Sequence, residues 1–257
     1  MKYIYLCLIF IVIIIISCFK SYEYFTDNDL IIFLDRESAY NVLINSGYLN
    51  KLNSLNMKLR KCNNLNDCKR HYRKNIINYT EKEKNILRRM IIKCDEKLKI
   101  FPKLHKIEWK FAKINNNLEE GLPHTHLDTI FLSDKFFNNP SIDTLIHEKI
   151  HLYQKKYPYK TDSFYNLNNY EKIQKIEIIN RRANPDTNNF DYKKNGVITY
   201  SIFNENPKSL SDIKLHNDSN NPHINEHPDE YFAYLITNKI MNKFNENDSE
   251  IINYISY

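Results

Sequence analysis

The apolar period of this chain changes at Pro102. Upstream, apolar residues recur every three to four positions through residues 35–99, which predicts a succession of helices. Thr80 with Glu83 three residues later is a capping box opening the last of them. Downstream, Ile107, Trp109 and Phe111 alternate with Glu108 and Lys110, the two-residue period of a strand. A second strand is expected over residues 126–133, a helix over 141–156 capped by Ser141 or Asp143, and another helix over 169–180. Asn195 and Gly196 mark a hairpin leading into the strand "VITYSIF", and Pro228 opens a final helix. Segregated helices followed by mixed elements make an α+β chain, with a helical region over residues 21–100 and a mixed domain over 101–257.

Composition sets limits on partners. With 257 residues, 42% of them hydrophobic, the chain can bury a substantial core, and bulk disorder is excluded. The net charge of +6 comes from 37 basic and 31 acidic residues, a balance that gives no reason to expect a nucleic-acid partner. The basic cluster Lys69, Arg70, His71, Arg73 and Lys74 reads as a solvated helix face.

Residues 3–19 are an uninterrupted apolar run between Lys2 and Lys20, roughly 26 Å long as a helix and close to the thickness of a bilayer core. Residues 1–20 are therefore expected to be an uncleaved, single-pass membrane anchor. The flanking charges favour a cytoplasmic N-terminus, with the rest of the chain facing a lumen, an exterior or a virion interior. Cys62 and Cys68 can close a short disulfide loop or, together with Cys94, remain buried thiols.

The chemistry concentrates in "TLIHEKIHLY". On a helix His147 and His151 share one face, so both imidazoles can reach one cation, and Glu148 opens to the same side. Neutral imidazole nitrogens suit Zn2+, and a catalytic site wants three protein ligands with a fourth position for water, whose proton Glu148 would accept. The third ligand is sought in "NPHINEHPDEYFAYL", where Glu226, His223, His227, Asp229 and Glu230 compete. Glu230 is the choice because it falls in the first turn of the helix opened by Pro228, where the helix dipole also favours a carboxylate. Asn184 and Asp186 in "RRANPD" read as turn formers.

"HEKIH" followed by "HPDEYFA" resembles the gluzincin group of zinc metallopeptidases. "GLPHTHLDTIFLS", "TLIHEKIHLYQK" and "RRANPD" together resemble predicted metallopeptidases of large DNA viruses. The resemblance spans about residues 109–244. It implies a zincin-like domain and zinc-dependent peptide-bond hydrolysis on a peptide or protein substrate, in a virion or host endomembrane. It also implies that the strand before the active helix forms an edge on which an extended peptide pairs, with His124 and His126 nearby. An oxyanion helper is expected among His227, Tyr231 and Tyr200. Lys149, charged where the pattern usually is not, is expected to point to solvent or along the cleft. The alternative is an inactive zincin-fold binding or virion membrane structural protein, against which the complete His147, Glu148 and His151 set argues.

Overall fold

The computed structural model describes residues 31–216, 225–241 and 254–255. The expected anchor over residues 1–20 lies outside them, as does His223; among the described residues no helix is long and apolar enough to cross a membrane.

On β3 (Trp109–Ile114), Trp109 and Phe111 point to one side and Ala112 and Ile114 to the other, so the central strand has two buried faces. It pairs in parallel with β1 (Ile31–Phe33) and β5 (Thr129–Leu132), and antiparallel with β2 (Ile76–Ile77); β4 (His124–His126) folds back antiparallel on β5. The order is β1-β3-β5-β4, with β2 off this path, so β4 is an edge. The strand expected over 126–133 is thus a hairpin, with the chain reversing at Leu127, whose φ is 52°. Strands β1 and β2 lie in the stretch expected to be helical and hydrogen-bond across the boundary expected at residue 100.

The described helices are α1 (Arg36–Asn45), α2 (Ser54–Leu59), α3 (Leu65–Asn75), α4 (Glu81–Leu98), α5 (Pro102–His105), α6 (Asp134–Asn138), α7 (Ile142–Lys156), α8 (Pro158–Leu167) and α9 (Pro228–Ile240). Two core clusters fill the two faces of the sheet. Trp109, Phe111, Ile130 and Leu132 pack with α4, α7 and α9 through Leu87, Ile91, Leu145, Ile146, Ile150, Phe232 and Ile236. Ala112, Ile114 and Phe131 pack on the other side with Ala39 and Leu43 of α1 and Tyr72 of α3. Each fully buried Leu, Ile or Phe contributes about 1.5–3 kcal/mol relative to exposure, so this alternation holds helices on both sides of the sheet. The molecule is a mixed α/β structure with small sheets.

The expected helix over 169–180 is absent. Pro158 closes α7 but also occupies the first turn of α8, where its missing N–H costs nothing. Asn169 then adopts a left-handed φ of 63°, and the chain leaves as β6 (Tyr170–Gln174), paired antiparallel with β7 (Phe190–Lys194). The Asn195-Gly196 hairpin forms as expected: both residues have positive φ, 52° and 80°, and join β7 to β8 (Val197–Ile198). "VITYSIF" divides between β8 and β9 (Ser201–Phe203), the latter pairing with β10 (Ile213–Leu215). Cys62, Cys68 and Cys94 are free, buried thiols, and no disulfide closes the 62–68 loop.

Candidate metal centre

Two helix starts build the site. The Ser141 side chain accepts from Thr144 N to cap α7, whose buried Leu145, Ile146, Ile150 and Leu152 fix its rotation. His147 and His151 then stand on one face, with ring centroids 4.7 Å apart. His227 caps α9 by accepting from Asp229 N, Pro228 occupies the first turn, and Glu230 follows in it.

Side-chain atoms from the two helices converge. His147 Nε2 lies 3.1 Å from His151 Nε2, and Glu230 Oε2 lies 3.4 Å and 3.6 Å from those two nitrogens. Zinc bonds of about 2.0–2.1 Å at tetrahedral angles require donor separations of about 3.3–3.4 Å. The three donors therefore fit one zinc ion. The remaining atoms hold them in that posture: Glu230 Oε1 accepts from Asn184 Nδ2 at 2.8 Å, leaving Oε2 turned to the histidines. His151 Nδ1 meets Gln154 Oε1 at 2.8 Å, and the Gln154 amide nitrogen is engaged by Asp229 O and Tyr165 Oη. Its oxygen must then face the imidazole, which places the proton on Nδ1 and the lone pair on Nε2. Tyr165 Oη donates in turn to Asp229 Oδ1 at 2.6 Å.

Charge follows the same geometry. Burial alone would raise the Glu230 carboxyl, but the neighbouring His151 and His147 hold it well below the ordinary range. Burial alone would lower His151, but Glu230, with Asp186 behind it, raises it to about 9. Without a cation the cluster retains a proton, which a metal ion must displace. Glu148 is buried, and burial followed by the Asp186 carboxylate pushes it well above the ordinary range. Its Oε2 has no hydrogen-bond partner among the described residues.

A cavity of about 600 Å³ opens over the cluster, lined by His147, Glu148 and Glu230 together with His124, Arg182 and Tyr234. No known family, curated protein or solved structure matches the chain. What the site can do therefore rests on its own atoms.

Several expectations need correction. Glu226, the alternative ligand, accepts from Arg182 Nη1 at 3.0 Å and Asn184 Nδ2 at 2.5 Å, and is not among the converging donors. His227 is occupied as a helix cap, with Nε2 3.2 Å from Phe190 O; the Tyr231 ring packs on Phe232 and Tyr170; Tyr200 stacks on His216. None of the three lines this cavity. His126 is buried between Tyr48 and Phe131, beside a neighbouring cavity. Lys149 reaches neither solvent nor cleft: it is fully buried, its Nζ donating to Ile107 O at 2.8 Å and lying 3.8 Å from the Trp109 ring centroid. The β4 edge is also taken. Thr125 N–H donates to Asp186 Oδ1 at 2.6 Å, and the Thr125 carbonyl accepts from Lys155 Nζ at 3.2 Å.

Asn184 and Asp186 thus do more than turn the chain. Arg182, Asn184 and Asp186 alternate toward the site, while the intervening Ala183 is bonded at its N–H by Asn56 and at its carbonyl by Arg60. The alternation follows from that clamp, which no local sequence signal announces. Tyr234, its ring centroid 4.5 Å from that of His147, was signalled by its place one turn after Glu230.

Proposed function

We propose that the protein is a zinc-dependent peptide hydrolase of gluzincin type with a zincin-like domain, tethered by its N-terminal apolar segment. One observation carries this reading: His147, His151 and Glu230 present three donors at separations a single tetrahedral zinc ion requires, with Glu148 beside them at a cavity. When bound, zinc supplies acidification of water and polarisation of a carbonyl.

The side chains supply the rest. Glu148, desolvated and with one oxygen unengaged, accepts the proton of the water whose oxygen bonds to the substrate carbonyl carbon. The same carboxyl then returns that proton to the amide nitrogen as the C–N bond breaks. Tyr234 lines the cavity; burial, then Glu230 and Glu148, push its phenol up to about 12, so it remains a donor for oxygen charge developing on the carbonyl. Arg182 donates to Glu226, and Asn184 donates to Glu226 and Glu230, which holds the two carboxylates in place.

The experiment is cleavage of a degenerate peptide library by zinc-loaded full-length protein and by Glu148→Gln at matched zinc content, read by mass spectrometry. Wild-type products that disappear in Glu148→Gln and on chelation support hydrolysis here, with a rate loss of at least about a hundredfold. Identical products from both proteins remove Glu148 from the reaction and overturn the reading.

A further inference from the structure

Helix α3 is divided along its length. Cys68 and Tyr72 lie in the core with Ala112 and Ile114 of β3, while Arg70, Arg73 and Lys74 are exposed and Lys69 is half-buried on the other side. Residues four apart share a side of a helix, so Lys69 with Arg73 and Arg70 with Lys74 make one basic face. Burial, then Lys61 and Lys74, lower the His71 imidazole of the same helix, which puts the exposed Lys61 beside that face. Arg36 joins it from α1, its Nε and Nη2 donating to Arg73 O at 3.0 Å and 2.7 Å. Three acids stand among these six cations: Asp67 pairs with Arg70 at 3.3 Å, Glu37 with Arg73 at 3.0 Å, and Asp35 caps α1. Six basic residues against three acidic leave a surplus of three, half of the chain's net charge of +6. Lys61, Lys69 and Lys74 have no ion pair among the described residues.

This face lies where the chain enters the fold. Strand β1 begins at Ile31, five residues before Arg36, so at about 3.3 Å per residue the entry point is within about 17 Å of Arg36. Residues 20–30 separate the apolar run ending at Phe19 from Ile31, and eleven residues span at most about 36–40 Å. A bilayer holding residues 3–19 is therefore within reach of α3, and so short a link makes the encounter intramolecular, for which weak attraction suffices. Lysine and arginine are drawn to an anionic surface over about a Debye length, roughly 8 Å at physiological salt. The link carries Glu23, Asp27 and Asp29 against Lys20, a deficit of two that does not exhaust the surplus of three.

We propose that the α3 face docks on anionic phospholipid headgroups of the bilayer that holds the N-terminal segment. The inference rests on the proposed tether and adds an orientation to it. Helix α3 packs on one side of the central sheet and α7 on the other. A domain seated on α3 thus turns the helix of His147 and His151 away from the lipid, toward polypeptides in the aqueous phase.

The test reads the tether and the face separately. Full-length protein is reconstituted into lipid nanodiscs of phosphatidylcholine alone or with about a third phosphatidylglycerol. Co-elution with the discs reads the tether; acylation rates of individual lysines by an amine-reactive ester, followed by mass spectrometry, read the face. Lys69 and Lys74 should react about three- to tenfold more slowly on anionic than on zwitterionic discs, with exposed Lys194 of β7 unchanged within twofold. The protection should vanish in roughly 1 M salt, where screening shortens to about 3 Å. Lys61→Glu/Arg70→Glu, both exposed positions, turns the surplus of three into a deficit of one and should bring the rates on the two disc types within about twofold of each other. Equal rates for wild type on both disc types, or protection that survives in that variant, overturns the docking. If those equal rates then rise alike in Glu23→Gln/Asp27→Asn/Asp29→Asn, the face belongs to the chain's own acidic stretch. Protein that elutes apart from zwitterionic discs but with anionic ones defeats the tether and leaves the face standing; elution apart from both defeats both.

Discussion

Gln154 shows how far the centre reaches beyond its ligands. It fixes the His151 tautomer through Oε1 while its amide nitrogen is anchored on Asp229 O and Tyr165 Oη, so the ligand's lone pair is set by a side chain one turn along the same helix. Gln154→Met keeps the volume and removes the acceptor. Zinc affinity of the full-length protein, measured by competition with a chromophoric chelator, should fall about 10- to 100-fold, while His147→Ala should abolish stoichiometric binding. Unchanged affinity in Gln154→Met would mean that the imidazole is oriented by other contacts. His147, Glu148, His151 and Glu230 were legible in the sequence because helix geometry links residues four apart, and a proline marks the turn in which Glu230 falls. Gln154 and Tyr234 share that helical logic, although neither residue type signals a metal by itself. The orienting roles of Asn184 and Asp186 were not legible, because they depend on an extended segment being clamped by Asn56 and Arg60 more than 120 residues earlier.

That clamp links elements distant in sequence. The Arg60 guanidinium, on the residue ending α2, is buried against Glu119, with Nε 2.8 Å from Oε1 and Nη2 2.8 Å from Oε2, and Nη2 also reaches Ala183 O at 2.9 Å. Tyr72 donates to the same carboxylate. Glu119 and Glu120 have φ of 46° and 54°, and Gly121 follows at 73°, where a Cβ would stand 2.9 Å from Ser133 Oγ. Burial alone would raise the Glu119 carboxyl, but Arg60 holds it down to about 2. A carboxyl whose folded pKa lies below its unfolded value of about 4.3 gives stability that is fully present above that value and is lost as pH falls toward 2. Glu119→Gln should therefore unfold in urea with a deficit of about 3 kcal/mol near pH 6, shrinking toward zero near pH 2. A deficit independent of pH would show that the ion pair contributes nothing specific. Among the elements, strongly patterned ones were legible: β3, α4 with its Thr80 capping box, α7 with its Ser141 cap, and the Asn195-Gly196 hairpin. The β4–β5 reversal at Leu127 and the β6 strand were not: Asp128 and Asn169 are turn residues, but the strands beside them are too short or too irregular in apolar period to mark a reversal.

For the whole molecule, the α+β expectation agrees with the mixed α/β architecture, and the covering of both faces of the sheet by helices follows from β3 being buried on both faces. The parallel β1–β3 pairing could not be read from the sequence, since residues 31–33 offer only three positions and their partners lie in a strand beginning at Trp109. The proposed tether predicts that full-length protein stays in the membrane pellet after alkaline carbonate extraction, because an apolar run of 17 residues from Tyr3 to Phe19 matches a bilayer core. Release into the supernatant would sink the tether.

The hydrolytic reading of this molecule depends on three side chains holding one metal ion. X-ray absorption at the zinc edge, on full-length protein purified without added metal and then loaded with one equivalent, reads that directly. Expected are two imidazole nitrogens at about 2.0–2.1 Å and carboxylate and solvent oxygens at about 2.0–2.2 Å, with the imidazole contribution halved or lost in His151→Ala. Sulfur scatterers at about 2.3 Å, which would move the metal to the buried cysteines, or a spectrum unchanged in His151→Ala, would contradict the site.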